Sequence, residues 1–244
     1  MFDWIGFDAD DTLWENEAYY QSGRQLLRRM MQTYDPPDGS QAADAPSARV
    51  DARLDEVEIA NLPCFGYGAM AYALSMIEAA IDVTSGRVSA ADIGQLVQVA
   101  RQIILAEVEL FEHTETALRA LAPHYPLLLV TKGDLQHQLS KVDRSGLRGY
   151  FRHVEVVTDK TTAIYESLLG RLGVAPQRFV MVGNSLRSDI LPVLELGGWA
   201  VYVPARVGWS HEHAELPPQL RGRFCEIEHL GQLPEALQRL QQQA

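Results

Sequence analysis

Short runs of apolar residues, separated by stretches with helical spacing, dominate the chain from about residue 106 onward. These runs predict buried strands, and they are Leu127 to Val130, Val154 to Val157, Phe179 to Val182, Ala200 to Val203 and Phe224 to Ile227. One further run, Trp4 to Phe7, predicts a first strand near the start of the chain. Strands that alternate with helices are typical of a parallel sheet with crossover helices. The pattern therefore predicts a doubly wound α/β core.

The stretch between the first strand and about residue 105 has a different pattern. Its apolar residues recur at helical spacing, as in Leu26, Leu27, Met30 and Met31, and it contains no convincing strand. We therefore predict a core formed by residues 1–14 and 106–244, interrupted by a helical domain at residues 15–105. Within that domain, residues 35–49 are rich in proline and small side chains, which predicts a mobile loop.

Composition narrows the class of protein. The chain has 244 residues, of which 47% are hydrophobic and 22% are charged, as in globular proteins, which excludes a disordered or collagen-like chain. Its net charge of -11 disfavours nucleic acid, and no apolar run approaches the roughly 18 residues of a membrane span. The two cysteines are too sparse for a disulfide scaffold, and acidic residues stand where a signal peptide would be basic. We expect a cytoplasmic protein, as a monomer or homodimer.

Polar side chains follow four of the predicted strands. The carboxyl ends of parallel strands meet at one edge of a sheet, where such folds bind ligands, so we expect these side chains to lie together. In chain order, the polar residues are Asp8, Asp10, Thr131, Lys132, Lys160, Asn184 and Asp189, and Gly133 stands among them after Lys132.

The order Asp-x-Asp, Thr, Lys and a terminal Asp resembles the four signatures of the haloacid dehalogenase-like hydrolase superfamily. The resemblance covers residues 7–14 and 127–198. A helical insertion directly after the first signature is similar to the C1-cap subclass of that superfamily. The resemblance implies a Rossmann-like core with a helical cap, and a phosphatase that acts on a small phosphorylated metabolite.

The resemblance also implies roles for these residues. Asp8 would be the nucleophile that forms an aspartyl phosphate, and Asp10 would protonate the leaving oxygen and then activate water. A carboxylate about 4 Å from a phosphate dianion meets a repulsion of roughly 4 kcal/mol per charge pair at an effective dielectric of about 20. Cations are therefore needed to offset this repulsion. Thr131 and Lys160 would complete the catalytic set. The substrate-binding residues would be Thr131, Lys132, Gly133 and Lys160.

The same resemblance implies a Mg²⁺ cofactor. Its ligands would be the Asp8 carboxylate, the Asp10 backbone carbonyl, Asn184 and Asp189. Asn184 is a departure, because many members of the superfamily have an acid directly after the glycine of the fourth signature. An amide oxygen can ligate but carries no charge, so we expect weaker metal binding or Asp189 as the main charged ligand.

Two alternatives stay open. A 2-haloacid dehalogenase would share the fold, but such enzymes usually lack the second aspartate of the first signature, so Asp10 favours phosphoryl chemistry. A non-catalytic phosphate-binding or signalling protein is the other alternative, because receiver domains also combine an acid pair, a Thr and a Lys. Their phosphoacceptor follows the third strand, however, and a large helical insertion has no place in that fold.

Other groups carry weaker signals. A zinc site built from His211, His213, Cys225 and His229 is disfavoured, because the spacing matches no standard pattern.

The cap is expected to select the leaving group of the substrate. Candidate contacts for that group are Trp14, Asn16, Glu17, Tyr20, Phe65 and Tyr67, and none of them declares a chemical preference.

Overall fold

A computed structural model describes residues 2–39, 42–205, 209–212 and 214–243. The chain forms two compact units. One unit holds the described residues up to Glu17 together with those from Glu107 onward, and the other holds those of Ala18–Ala106. None of the helices in the described part of the chain combines the length and the apolar character that a bilayer crossing demands.

The first unit contains a parallel sheet of six strands in the order β3-β2-β1-β4-β5-β6. The strands are β1 (Trp4–Phe7), β2 (Leu127–Lys132), β3 (His153–Val157), β4 (Phe179–Gly183), β5 (Trp199–Tyr202) and β6 (Phe224–Glu226). Each predicted strand is present, and the doubly wound α/β fold is confirmed. The second strand is longer than predicted, so that Thr131 and Lys132 end it rather than follow it.

The second unit is helical. Its helices are α1 (Glu17–Gln32), α2 (Pro46–Phe65), α3 (Ala69–Val83) and α4 (Ala90–Leu105), and α1 begins at the boundary between the units. Their apolar faces share one core, in which Leu27, Leu54, Met76 and Leu96 are fully buried. The loop predicted at residues 35–49 ends earlier than expected, because α2 already begins at Pro46. Proline is favoured at the first position of a helix. Ser40 and Gln41 of that loop lie outside the described residues.

Helices cover both faces of the sheet in the first unit. They are α5 (Thr114–Leu121), α6 (Leu135–Arg144), α7 (Thr162–Leu172), α8 (Leu191–Glu195) and α9 (Leu233–Gln243). Successive strand residues point to opposite faces, so Leu127 and Leu129 share a core with α5 and α9, while Leu128 and Val130 share one with α7 and α8. Burial on both faces explains why the strands read as continuous apolar runs.

The register around β1 determines where the site forms. Phe7 pairs with Leu129 on β2 and with Val182 on β4. The strand order reverses at β1, and ligands of open α/β sheets bind at such a switch point, beyond the carboxyl ends of the strands. The residues that follow Phe7, Leu129 and Val182 therefore reach the same edge.

Candidate active site

Asp8 lies at the centre of this edge, directly after β1. Its backbone N–H donates to the carbonyl oxygen of Val182 at 2.9 Å, which fixes its position between the central strands. Its carboxylate is buried, with Oδ1 paired to the Lys160 ammonium and Oδ2 accepting from the Thr12 hydroxyl at 2.9 Å. Lys160 also pairs with Asp189, at 2.6 Å. One buried ammonium thus lies between two buried carboxylates.

This arrangement leaves a deficit of positive charge. Burial disfavours the charged ammonium, yet the carboxylates of Asp189 and Asp8 raise the pKa of Lys160 well above its usual value. Burial and the charge of Asp8 raise the pKa of Asp189 to about 7, against the opposing effect of Lys160. One cation cannot neutralise two carboxylates, so the cluster favours the binding of a further cation.

The loop after β4 places Asp189. Its segment Leu186–Ile190 forms a π-helical turn, a feature often found at functional sites, and Ser185 caps that turn by accepting from the Ser188 N–H at 2.9 Å. The Ser185 N–H donates to Asp189 Oδ2 at 3.0 Å. At Gly183, a Cβ atom would overlap the Asp189 carboxylate, so only glycine lets the loop fold back in this way.

Two oxygen ligands suited to Mg²⁺ converge on Thr12. Its hydroxyl donates to Asp8 Oδ2 at 2.9 Å and to Asn184 Oδ1 at 3.2 Å. A hydroxyl carries a single proton, so these two oxygens share it and lie close together. Carboxylate and amide oxygens are hard ligands, and Mg²⁺ needs only one or two carboxylates because it keeps several waters. Asp8 Oδ2 and Asn184 Oδ1 accept from the Thr12 hydroxyl, which can rotate away, whereas the oxygens of Asp189 accept from the Lys160 ammonium and from the fixed Ser185 N–H. Asp8 and Asn184 therefore fit the cation better than Asp189 does.

Across the described ranges, no group of three or more His, Cys, Asp and Glu side chains is arranged to hold a metal. A metal at this edge would therefore depend on the Asn184 amide and on backbone oxygens as well as on carboxylates. The rejected zinc site is not formed by its described members, and His213 lies outside the described residues.

Asp10 has its own set of partners. The Lys141 ammonium lies 2.6 Å from each of its carboxylate oxygens, the Trp14 indole N–H donates to Oδ1 at 2.6 Å, and the Gln138 amide donates to Oδ2 at 2.9 Å. Burial alone would raise the pKa of Asp10, but the charge of Lys141 and these hydrogen bonds lower it. Asp10 is therefore held as a carboxylate at neutral pH.

The segment after β2 brings these partners to Asp10. The Asp134 carboxylate accepts from the His137 N–H at 2.8 Å and so caps the start of α6. Gln138 and Lys141 are three residues apart on α6 and lie on one face of it. Gly133 has a φ of 133°, and a Cβ atom there would lie 3.0 Å from the Gln138 amide nitrogen, so a side chain would be strained and would crowd the amide that holds Asp10.

Lys132 binds a residue that the sequence did not indicate. Its ammonium pairs with Glu212 and donates to the Ser188 hydroxyl at 3.0 Å. Glu212 also accepts from the hydroxyls of Ser185 and Ser188. Burial opposes ionisation, but Lys132 and the two hydroxyls lower the pKa of Glu212 to about 2. Glu212 thus connects the end of β2 to the loop after β4 through one ion pair and two hydrogen bonds.

The structure brings the predicted site residues to one edge in three groups, which centre on Asp8, on Asp10 and on Lys132. Asp8, Lys160 and Asp189 are in direct contact, and Asn184 is linked to Asp8 through Thr12. Thr131 and Gly133 lie on the neighbouring strand and its exit, where Thr131 is buried. Of the candidate leaving-group contacts, Trp14 and Asn16 touch the Asp10 group, and the Glu17 N–H donates to Asp11 Oδ1 at 2.9 Å. Tyr20, Phe65 and Tyr67 belong to the helical unit.

Sequence reasoning missed Lys141 and Glu212. A signal for Lys141 was present in the composition, because the chain contains only three lysines and otherwise uses arginine for positive charge. All three lysines pair with carboxylates at this edge. Glu212 follows none of the predicted strands directly, and we find no sequence signal for it.

Comparison with known proteins agrees with this geometry. The sequence model of one family, the haloacid dehalogenase-like hydrolases, matches residues 2–197. The chain belongs to this family. A crystal structure of a haloacid dehalogenase-like family hydrolase from Xanthomonas campestris is 37% identical in sequence and superposes with a TM-score of 0.84, over 99% of this chain and 93% of that one. The predicted superfamily and the prediction of a hydrolase are confirmed.

Two curated relatives match shorter parts of the hydrolase. The glyceraldehyde 3-phosphate phosphatase of Methanothermobacter thermautotrophicus is 34% identical over 95 residues, which are 37% of this chain and 42% of the relative. The human N-acylneuraminate-9-phosphatase is 33% identical over 98 residues, which are 38% of this chain and 40% of the relative. The matched region thus spans about two fifths of each of these relatives.

Proposed function

We propose that the hydrolase is a Mg²⁺-dependent phosphomonoesterase that acts on a small phosphorylated metabolite in the cytoplasm. The observation that carries the proposal is the pair of aspartates beyond β1, each bound to its own buried lysine, with Lys160 on Asp8 and Lys141 on Asp10. An alkoxide leaving group needs a proton, whereas a halide does not, so a second positioned carboxylate supports phosphoryl chemistry. The two curated relatives are both named as phosphatases, which supports the same class.

In the first step, a carboxylate oxygen of Asp8 attacks phosphorus and the bond to the ester oxygen breaks. The products are an aspartyl phosphate and an alcohol that takes its proton from Asp10. Lys160 lies against Asp8 and offsets the repulsion between the carboxylate and the phosphate dianion. The negative charge of the substrate also favours the protonated form of Asp10, because like charges raise the pKa of a carboxyl group.

In the second step, Asp10 accepts a proton from a water that attacks the aspartyl phosphate. The bond between Asp8 and phosphorus breaks, inorganic phosphate leaves, and Asp10 returns its proton to solvent; it takes up a proton again when the negatively charged substrate binds. Thr131, Lys132 and Lys160 bind the phosphoryl oxygens in this scheme. Gly133 contributes through its lack of a side chain, which leaves room beside Gln138.

The proposed cofactor is Mg²⁺, which Asp8, the Asp10 backbone carbonyl and Asn184 would hold directly, with the Asp189 carboxylate beside them. When bound, Mg²⁺ supplies positive charge that stabilises the phosphoryl group during transfer. The hydrogen bonds favour Asn184 over Asp189 as the direct ligand from the fourth signature, because Asn184 Oδ1 shares the rotatable Thr12 hydroxyl with Asp8 Oδ2, whereas Asp189 shares the Lys160 ammonium with Asp8. Asp189, bound to Lys160 and to the Ser185 N–H, supplies charge at the site and orients Lys160.

A phosphate-release screen over a panel of phosphorylated metabolites tests this function, with Mg²⁺ and with a chelator in its place. We expect Mg²⁺-dependent release from at least one small phosphate ester and none from Asp8→Asn. Asp143→Asn, an exposed acid on α6, is the matched control and is expected to behave as the wild type. Chelator-resistant halide release from 2-chloropropionate, with no phosphate release from any ester, would instead support the dehalogenase.

A further inference from the structure

We propose that Lys141 is a positioning residue that holds the Asp10 carboxylate at the place from which it exchanges protons with leaving group and water. The inference rests on the proposed phosphomonoesterase function and goes beyond it, because it assigns a role to a helix outside the four signatures. Lys141 would not touch the substrate. It would act through Asp10.

The contacts of Lys141 fix the carboxylate in orientation as well as in place. Its ammonium lies 2.6 Å from both oxygens of Asp10 and also donates to Asn16 Oδ1 at 3.1 Å. Trp14 and Gln138 then donate to one oxygen each. A carboxylate bridged by a cation and held by two further donors cannot rotate without losing several of these bonds.

The burial of Lys141 separates this ion pair from those on the protein surface. Only 7% of the Lys141 side chain is exposed, and 20% of that of Asp10. Among the described residues, the exposed pairs use arginine or histidine instead of lysine, as in Arg28 with Asp51 and Arg178 with Asp3. Burying a cation costs desolvation energy that the attraction to its partner roughly offsets, so such a pair is a poor stabiliser. A role in the site accounts for it better than stability does.

Proton transfer explains why the position of Asp10 matters. A general acid or base works only within hydrogen-bond reach of the atom it serves, and small misplacements cost large factors in rate. Without Lys141, the Asp10 carboxylate would lose two of its four contacts, so Trp14 and Gln138 alone would not keep it in one orientation. Asp10 would then be present but out of place.

The test compares kcat/KM for two esters, p-nitrophenyl phosphate and propyl phosphate, in the full-length protein with Mg²⁺. The constant kcat/KM reports the steps up to the aspartyl phosphate, and only propyl phosphate needs a proton on its leaving group. We expect Lys141→Met to lower kcat/KM for propyl phosphate by about 10²-fold more than for p-nitrophenyl phosphate. Lys141→Arg retains the charge with a different geometry. Its ratio of kcat/KM for propyl phosphate to kcat/KM for p-nitrophenyl phosphate is therefore expected to lie between those of Lys141→Met and the wild type.

A double-mutant cycle distinguishes positioning from a general structural effect. If Lys141 acts through Asp10, then Lys141→Met will not change the ratio between the two esters further once Asp10→Asn is present. Arg144→Met, an exposed cation on the same helix, is the control and is expected to keep the wild-type ratio. Melting temperatures of all variants report whether they are folded, and Lys141→Arg carries the test if Lys141→Met does not fold.

Each outcome decides something. An equal loss for both esters in Lys141→Met, or the same change of ratio in the Asp10→Asn background, would overturn the role of Lys141 and leave the proposed function intact. A Lys141→Arg ratio equal to the wild type, in the absence of a folded Lys141→Met, would overturn it too. If the wild-type protein hydrolyses neither ester nor any member of the metabolite panel, the proposed function itself is wrong, and the role of Lys141 fails with it.

Discussion

Asp8 and Asp10 are separated by one residue, yet their surroundings differ in charge balance. Asp8 shares its lysine, Lys160, with a second buried carboxylate, Asp189. Asp10 has Lys141 and also receives neutral hydrogen-bond donors from two other side chains. The first cluster therefore carries excess negative charge, whereas the second is balanced.

The difference suggests a division of labour at one strand end. A buried cluster with an uncompensated carboxylate is costly on its own, and it becomes favourable when a divalent cation binds. A balanced carboxylate with four hydrogen-bond contacts has no need of a further cation and stays in one orientation. We infer that the first cluster is built for the metal and the phosphoryl group, and the second for proton transfer.

The largest effect is expected from Asp8→Asn. An amide is not a nucleophile, so phosphate release with Mg²⁺ should fall by about 10⁴-fold or more. The change is nearly isosteric, and Lys160 retains Asp189 as a partner, so the melting temperature should shift little. Wild-type phosphatase activity in a folded Asp8→Asn protein would remove Asp8 from the nucleophilic role.

The next effect concerns the metal and separates Asn184 from Asp189. Asn184→Ala should raise the Mg²⁺ concentration for half-maximal activity by about tenfold or more, because it removes an oxygen that faces Asp8. Asn184→Asp should lower that concentration by adding charge. Asp189→Asn should mainly lower kcat, since it releases Lys160. Titration of activity against Mg²⁺ measures all three, and a larger shift for Asp189→Asn than for Asn184→Ala would reverse the assignment.

A smaller effect is expected on stability as a function of pH. The pKa of Asp189 is about 7 in the folded protein against an ordinary value of 3.8, so the folded state holds this proton more tightly than the unfolded chain. The stabilisation is present at low pH and is lost as the pH rises through about 7. Urea unfolding of the metal-free protein between about pH 5 and pH 8 should therefore show falling stability. Asp189→Asn should make that fall smaller, while Asp11, whose pKa burial raises to about 8, continues to contribute to it.

Glu212 has a pKa shift of the opposite sign to that of Asp189, so it serves as a control for the pH experiment. Its pKa is lowered to about 2 from 4.5, so its contribution to stability is complete above about pH 5 and is lost only as the pH falls toward 2. Glu212→Gln should lower the free energy of unfolding by about 2 kcal/mol, by the same amount at each pH from about 5 to 8. A pH-dependent loss in Glu212→Gln over this range would contradict a lowered pKa at Glu212.

The smallest effect is expected from an exposed ion pair. Arg178 pairs with Asp3 at 2.5 Å, but about half of each side chain is exposed. Exposed pairs contribute little because solvent screens them. Arg178→Met should change neither the activity nor the urea midpoint measurably. A clear loss of activity would show that charges outside the strand edge contribute to the site.

Most of the fold could be predicted because strands buried on both faces leave continuous apolar runs. Phe179 to Val182 is such a run, and β4 covers it. Boundaries were less predictable, since β2 continues through Thr131 and Lys132, whose backbones still pair with β3 although their side chains are polar. The start of α2 at Pro46 was hidden in a tract of small residues that suits a loop as well as a helix start.

The site could be predicted only where its residues directly follow strands. Asp8 and Asn184 do so, and Lys160 follows β3 closely. Lys141 lies two turns into a helix, and its role depends on a partner 131 residues away in the chain. Glu212 lies in a short 3₁₀ turn, Ser210–Glu212, that follows none of the strands directly, so local sequence could not place it beside Lys132. The scarcity of lysine was the one signal that pointed beyond the strand ends.

The most direct test of the central claim is a rapid-quench experiment on Asp10→Asn with p-nitrophenyl phosphate and Mg²⁺. This ester needs no proton to leave, but the aspartyl phosphate still needs Asp10 to activate water, so the intermediate should accumulate. We predict a burst of about one nitrophenolate per active site, followed by a slow phase, with a phosphoryl group on the peptide that contains Asp8. Phosphate released in step with nitrophenolate, with no burst and no phosphorylated peptide, would contradict a covalent mechanism at Asp8.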